Sequence, residues 1–349
     1  MTKVLVYEYI SAGGDAAAAA RPEMLAMGRA MRDPVAGDLA RIAGVEVTCV
    51  CAAGDTAAAP RAPSLTWRVP PRGHDAVAFV AEEAQRHDAV WVIAPETGGV
   101  LAALCGAVDA SRWIGCDAAA LQVAGSKRRT ARHLAQAGIA TTRAWSADAP
   151  LQPDASAWVV KPDDGAGAID THVYDDFRAA ESAFLARLAV QEPVTFEEWV
   201  EGDALSLSLL CTRGHAELLS VNWQHVNVTH GRLAYEGVTV GAIALDSLVG
   251  RACSELAQRV ARALPGLAGF VGIDVVWHRE RGPVVIEINP RVTCAYAGLA
   301  ARLDTNLAAR VLAAHREVQH EAYETAHDGA HDSTHDAAHD GGERICHVA

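Results

Sequence analysis

The 349-residue chain has no CxxC pair, no Walker-type Gly-Lys-Ser/Thr and no GxGxxG after its first strand-like segment. Each absence removes a class. Without paired cysteines there is no zinc ribbon and no thioredoxin-like redox centre. The eight cysteines, at 49, 51, 105, 116, 211, 253, 294 and 346, read as reduced thiols of a cytoplasmic protein. Without the glycine signatures a P-loop or dinucleotide fold loses its main support, since Ser11-Ala12-Gly13-Gly14 offers only two adjacent glycines. Positive charge is also short: 30 Lys and Arg against 43 Asp and Glu leave a net charge of −13. That balance argues against bulk attraction to nucleic acid or an anionic membrane, but permits one local basic site. The opening apolar run, Val4 to Ile10, is strand-sized, too short to span a bilayer and without the cleavage region of a secretion signal.

What is present is a half-hydrophobic chain of two or three domains' length. The first third alternates strand-like runs (Val4–Ile10, Val45–Val50, Ala89–Ala94) with helical stretches (Glu23–Ile42, Asp75–His87), which predicts a parallel α/β sheet. Pro34 is expected to interrupt the first helix, and Asp55 to Pro71 to form a loop. One helix is expected from about Asp117 to Gly138, carrying Ser126-Lys127. Later strand signals are Trp158–Lys161, Thr195–Val200, Leu205–Cys211, Glu217–Trp223, Val271–Trp277 and Val284–Asn289. Helical patterns cover Ser247–Ala263 and Asp304–His315. After Glu321 a repeating Ala-His-Asp tail lacks the apolar content to fold. The expected units are 1–116, 117–194, 195–320 and a disordered tail, 321–349. The tail histidines His327, His331, His335 and His339 recur every four residues, so a metal-handling role for the tail stands as one alternative.

The segment GIDVVWHRERGPVVIEINPR carries the most chemistry. Two apolar strands flank a polar loop. Pairing Trp277 with Val284 sets Asp274 opposite Glu287 and puts Asn289 on the same face, while Ile273, Val275, Ile286 and Ile288 turn away to pack. Opposed carboxylates repel, and a hard divalent cation would offset that; oxygen donors suit magnesium. A solvated acidic face is the plainer alternative. Upstream, Lys161 ends a buried-looking strand and precedes Asp163-Asp164-Gly165-Ala166-Gly167-Ala168. Small residues there let backbone N–H groups approach phosphate oxygens, and the lysine adds a compact positive charge. Lys127 lies on a basic helix face that could supply a second phosphate-directed cation.

In this order, a helix lysine, a strand lysine with a small-residue loop, the linker Glu197-Glu198-Trp199-Val200-Glu201-Gly202, and the Asp274, Glu287, Asn289 hairpin, the chain resembles the ATP-grasp superfamily over roughly residues 117 to 315. The resemblance implies an α/β fold, with a parallel pre-ATP-grasp domain followed by a two-part α+β ATP-grasp domain. It implies ATP with Mg²⁺ as cofactors, Mn²⁺ being an alternative ion. Lys127, Lys161 and the loop of Gly165 and Gly167 would meet the phosphates. Glu197, Glu198, Trp199 and Val200 would form the adenine hinge. Asp274, Glu287 and Asn289 would hold the metal, and Arg291 would be catalytic, at the transferring phosphoryl group. The family's ribose-binding acid is replaced by Ala204, which leaves Glu201 or Asp203 for that role.

Four short pieces, Val-Tyr-Glu-Tyr at 6–9, Gly-Arg-Ala-Met at 28–31, Ala-Pro-Glu-Thr at 94–97 and Glu-Ile-Asn-Pro-Arg-Val-Thr at 287–293, are similar to the tyramine–glutamate ligases of methanofuran biosynthesis. That likeness implies a ligase that activates a carboxylate, the γ-carboxylate of glutamate, as an acyl phosphate and joins it to tyramine or tyrosine. Glu8, Arg29, Glu96 and His225 are the substrate-site candidates. The expected partners are small molecules, with no nucleic acid, no membrane and room for a homodimer. Another amino-acid or peptide ligase of the same fold, or a non-catalytic ATP-binding module, are the alternatives.

Overall fold

The computed structural model describes residues 1–15, 21–55, 60–165 and 167–332, with side chains up to Gln319. The first unit comprises β1 (Thr2–Glu8), α1 (Pro22–Ala40), β2 (Val45–Val50), β3 (Leu65–Arg68), α2 (Ala76–Ala84), β4 (Ala89–Ile93), α3 (Val100–Gly106) and β5 (Trp113–Ile114). Its five strands are all parallel, in the order β3-β2-β1-β4-β5. Val4 to Tyr7 are fully buried, as a central parallel strand covered on both faces requires. Two expectations fail here. Helix α1 passes through Pro34 unbroken, because Arg32, Val35, Ala36 and Leu39 bury its face on both sides of the proline. The stretch expected as loop contains β3, a short edge strand whose Leu65 is buried against β2; four residues are too few to show a period. Residues 56–59 of that stretch lie outside the described residues.

Next come α4 (Ala118–Ala124) and α5 (Lys127–Gln136), where a single helix is expected from the sequence. Ser126 separates them: it caps α5, its hydroxyl accepting the Arg129 N–H at 3.2 Å and donating to Asp163 at 2.6 Å. The remaining elements are β6 (Trp158–Pro162), β7 (His172–Tyr174), α6 (Phe177–Ala189), β8 (Val194–Glu198), β9 (Asp203–Thr212), β10 (His215–Thr229), β11 (Arg232–Ile243), α7 (Leu248–Ala263), β12 (Gly269–His278), β13 (Gly282–Asn289), α8 (Ala295–Ala300) and α9 (Leu307–Asp332). Their strands form one antiparallel sheet, β13-β12-β9-β10-β11-β7-β6-β8. The signal at Glu217–Trp223 extends to Thr229 as β10, and β11 has no expected counterpart. Beyond Trp223 both strands are half solvated, so no apolar run marks them.

Leu5, Tyr7 and Val92 share one core with Leu121 and Leu134 of α4 and α5, and with Leu207, Ile273 and Val285 of the large sheet. The expected border at 116–117 therefore falls inside a continuous core. A separate small core, Leu151, Trp158, Val160, Ala180, Phe184, Val194 and Phe196, underlies β6 and β8. Strand β8 thus packs with β6 rather than with the strands that follow it.

Helix α9, expected to end near His315, continues to Asp332, so residues 321–332 of the expected disordered tail are helical. Backbone hydrogen bonding carries a helix past its apolar stripe. His335, His339 and the rest of the tail lie outside the described residues. Among the residues of α9 whose side chains are described, those that enter the core, Leu307, Ala308, Val311, Leu312 and Ala314, all precede Arg316. Truncation after Glu321 is therefore expected to leave the thermal midpoint and any ligase turnover unchanged. A large loss of turnover in excess Mg²⁺, with transition metals chelated, would show that the tail belongs to the working enzyme. Among the described residues no helix is long and apolar enough to cross a membrane.

Candidate active site

Strands β12 and β13 bring Asp274 opposite Glu287, as the hairpin reading expects. The register then slips. Val275 pairs with Val285 and Trp277 with Pro283, not with Ile286 and Val284, because a bulge leaves Ile286 unpaired. Ile286 is consequently half-buried, while Val284 and Val285 are buried instead. The outer edge of β13 explains the bulge: the Val285 N–H donates to the Ala140 carbonyl at 2.9 Å, and its own carbonyl accepts the Thr141 hydroxyl at 2.9 Å.

Around the pair, Gln224 donates to Asp274 Oδ1 at 3.0 Å and Asn289 to Asp274 Oδ2 at 3.3 Å. Lys127 Nζ lies 3.0 Å from Glu287 Oε2. Burial, and then the neighbouring Glu287, push the Asp274 carboxyl well above the usual range. Burial opposes ionisation of Glu287 too, but Lys127 and Lys161 outweigh it and hold that carboxyl below its usual value. Carboxylate and amide oxygens in an electron-rich, cation-short cluster fit a hard divalent ion such as Mg²⁺. The set contains two acids and an amide; among the described residues no group of three or more His, Cys, Asp or Glu is placed to hold a metal.

The two lysines converge here from different elements. Lys127 opens α5 and Lys161 ends β6, where Nζ meets Glu197 Oε2 at 2.8 Å. All four groups are largely buried. Burial would lower Lys127, yet Glu287, Glu96 and Glu197 together raise it. Buried ion pairs of this kind are weak evidence for stability, because desolvation offsets the attraction; their value is a fixed positive potential where charge must be received. Lys127 also donates to the Gly165 carbonyl at 2.5 Å. A Cβ at Gly165 would sit 2.9 Å from Pro162, and Gly167 has φ +67°. Both positions of the small-residue loop therefore require glycine. A cavity of only about 10 Å³ remains between Lys127, Gly165, Glu96, Glu287 and Asn289.

In the hinge segment, alternation splits the two glutamates. Glu197 faces Lys161. Glu198 points the other way and is held by Arg143 at 2.6 Å and Arg281 at 3.0 Å, which gives it a structural duty. The Trp199 N–H donates to the Ala157 carbonyl at 2.9 Å, and Val200 is buried. Glu201 is exposed and accepts the Ser156 hydroxyl at 2.8 Å; Asp203 is exposed at the start of β9.

A second cavity, of about 470 Å³, opens beside the carboxylates. Asp274, Glu287, Asn289 and Arg291 line its polar side, Met24, Met27 and Met31 of α1 one wall, Leu233, Tyr235 and Val238 of β11 the other. It sits outside the carboxyl ends of β1 and β4, the usual position for a ligand in an open parallel sheet. Of the four substrate candidates, Glu8 lines this cavity but is 1 % exposed, accepting the Ile10 and Ser11 N–H groups at 3.2 and 2.6 Å. Burial raises its carboxyl above the ordinary value. Glu96 lines the small cavity and holds Arg291 at 3.0 Å. Arg29 and His225 line neither cavity: Arg29 pairs with Asp55, and His225 is exposed beside the Thr239 hydroxyl at 2.8 Å.

Gln224, Tyr235 and the methionine wall are not anticipated by the sequence reading. One signal was available for the site. The chain has three lysines, Lys3, Lys127 and Lys161, among 30 basic residues; Lys127 pairs with Glu287, and the charge of Lys161, which pairs with Glu197, also acts on it. Likewise, three of its four methionines, at 24, 27 and 31, follow helical spacing toward one cavity.

Comparison with known proteins identifies the domains that carry this arrangement. Residues 124–295 match the ATP-grasp domain model and residues 45–121 the pre ATP-grasp 3 domain model. No curated protein matches. Among solved structures, a protein from Archaeoglobus fulgidus described as an ATP-grasp superfamily member is 21 % identical, with TM-score 0.64, covering 90 % of this chain and 88 % of that one. The L-amino acid ligase of Bacillus licheniformis is 17 % identical, with TM-score 0.64, over 89 % and 72 %. The D-alanine–D-alanine ligase of Bacillus anthracis is 14 % identical, with TM-score 0.60, over 92 % and 100 %. At such identities the likeness establishes the fold. The chain carries the paired domains of the ATP-grasp superfamily, a pre-ATP-grasp α/β domain followed by an ATP-grasp domain.

Proposed function

We propose that the chain is an ATP-dependent carboxylate–amine ligase, joining the γ-carboxylate of glutamate to tyramine or tyrosine in methanofuran-type cofactor synthesis. One observation carries the ligase reading: Glu287 and Asn289 line both cavities, the small lysine-bound one and the larger apolar one. A phosphoryl group leaving the first would emerge into the second. The structurally similar amino acid ligases add support. The substrates rest on the four sequence pieces at 6–9, 28–31, 94–97 and 287–293, and the methionine and tyrosine walls suit an aromatic ring.

The chemistry has two steps. A substrate carboxylate oxygen attacks the γ-phosphorus of ATP and ADP leaves, forming an acyl phosphate. The amine nitrogen then attacks the acyl carbon, inorganic phosphate leaves, and the nitrogen loses a proton. Lys127 and Lys161 would bind the phosphates, and Arg291, kept in place by Glu96, would face the acyl phosphate. Asp274, Glu287 and Asn289 would hold Mg²⁺, which supplies charge neutralisation to the phosphate oxygens when bound. No side chain needs to become a covalent nucleophile.

The test is ADP release across carboxylate and amine pairs, with the product identified by mass. Mg²⁺-dependent ADP and amide are expected only when glutamate and tyramine or tyrosine are both present. Turnover with other amino acids alone would overturn the substrates, and no ADP with any pair would overturn the ligase.

A further inference from the structure

The wall of the large cavity formed by β11 is attached to the rest of the molecule in an unusual place. Strands β10 and β11 form a long hairpin that leaves β9 and reaches across to the small body of β6, β7 and β8. Its contact with β7 is narrow. The two strands share a single registered pair, Arg232 with His172. Two backbone bonds make the junction: Val173 N–H to the Gly231 carbonyl at 2.7 Å, and Leu233 N–H to the Thr171 carbonyl at 3.1 Å. The turn that presents these groups is left-handed at both positions, His230 at φ +50° and Gly231 at φ +72°. A Cβ on Gly231 would lie 2.9 Å from the Val173 carbonyl oxygen, so any side chain would push the tip off β7.

We propose that Gly231 is a positioning residue. It seats the hairpin tip on β7 and thereby ties one wall of the substrate cavity to the body that carries Lys161 and the glycine-rich connection. The small body has its own hydrophobic core, separate from the two core clusters of the rest. A body with its own core can shift as a unit. Gly167, Ala168 and Ile169, from the connection between β6 and β7, border the same cavity as Leu233 and Tyr235. Through the two backbone bonds of this junction, one at Gly231 and one at Leu233, movement of the phosphate-side body carries the β11 wall with it. Phosphate binding on one side therefore sets the shape of the cavity on the other, and keeps water from the intermediate while the second substrate is held. This coupling deepens the ligase reading and rests on it for the chemical consequence, though not for the mechanical one.

The experiment uses the full chain and two variants. Gly231→Ala forces the tip away; Val173→Pro deletes the N–H that donates to Gly231. In the wild type, a non-hydrolysable ATP analogue with Mg²⁺ is expected to slow amide hydrogen exchange at Leu233 and Tyr235 by roughly tenfold or more. In either variant that slowing should vanish, while protection within β9 and β12 and the thermal midpoint persist. For the reaction, KM for the amine should rise by about tenfold and a share of ADP should form without amide, with KM for ATP nearly unchanged. If the analogue protects Leu233 equally in wild type and variants, the coupling is wrong. If the exchange pattern holds but no substrate pair gives ADP, the ligase reading fails and the coupling stands. A variant that loses stability throughout, with an unchanged KM ratio, would reduce Gly231 to a folding role and overturn the proposal.

Discussion

Glu287→Gln is expected to fold and to lose nearly all Mg²⁺-dependent ADP formation. The substitution keeps the side chain's volume and its bulged-strand surroundings, and the amide oxygen can still accept from Lys127. It removes the charge that the two lysines hold ionised. Asp274 is then the one carboxylate left in the set, and burial disfavours its ionised form. A divalent ion bound to that set would lose half its formal counter-charge. Loss of one preorganised electrostatic contact typically costs about 10²- to 10³-fold in turnover, roughly 3–4 kcal/mol. Glu287→Asp, which keeps charge but shortens reach, should fall between the two. The measurement is steady-state ADP release across a Mg²⁺ titration, beside a thermal melt. Wild-type turnover in the glutamine variant would remove Glu287 from the metal site.

Lys161→Met should both weaken ATP binding and destabilise the fold, and the two effects can be separated. Among the described residues, Lys161 is the one partner within ion-pair distance of Glu197, which is 2 % exposed. Deleting one member of a buried pair leaves an uncompensated charge and costs about 3–5 kcal/mol. The sequence alone suggests a lysine directed at phosphate, whose loss would weaken ATP binding more than folding. With Glu197 beside it, the single variant is expected to melt well below the wild type. The double variant Lys161→Met, Glu197→Gln removes both charges and should recover most of the midpoint. ATP affinity should not recover, because the positive charge at the phosphate side is still absent. Calorimetric titration with an ATP analogue, run on the double variant, decides the matter. Unchanged affinity there would make Lys161 a structural partner of Glu197 and nothing more.

Much of the site is legible in the amino-acid sequence because it is written locally. A β-hairpin pairs residues close in sequence, so that Asp274 and Glu287 come near each other is legible, but the pairs beside the loop are one residue off the assumed register and only the bulge at Ile286 restores their facing. The bulge that displaces Ile286 is not legible, since its cause lies 144 residues away, at the Thr141 hydroxyl. The same distinction runs through the substrate candidates. Glu8 and Glu96 border the cavities because strand ends of a parallel sheet face a common crevice. Arg29 sits one residue along α1 from Gly28, which lines the cavity, and its side chain turns instead to Asp55. Helical rotation of about 100° per residue separates the two, and a short motif carries no mark of which face is inward.

By itself, the sequence determined the strands β1, β2, β4, β6, β8, β9, β12 and β13 and the two lysines that precede the hairpin acids, because each depends on neighbours within a few residues. Only the tertiary structure decided which partners the charges take. Lys127 with Glu287, Lys161 with Glu197 and Arg291 with Glu96 are separated by 160, 36 and 195 positions along the chain. Such pairings arise when strands and helices from different segments are packed together and buried charges must find counter-charges. The same packing set β11 against α1 to enclose a cavity whose walls have no common sequence signal.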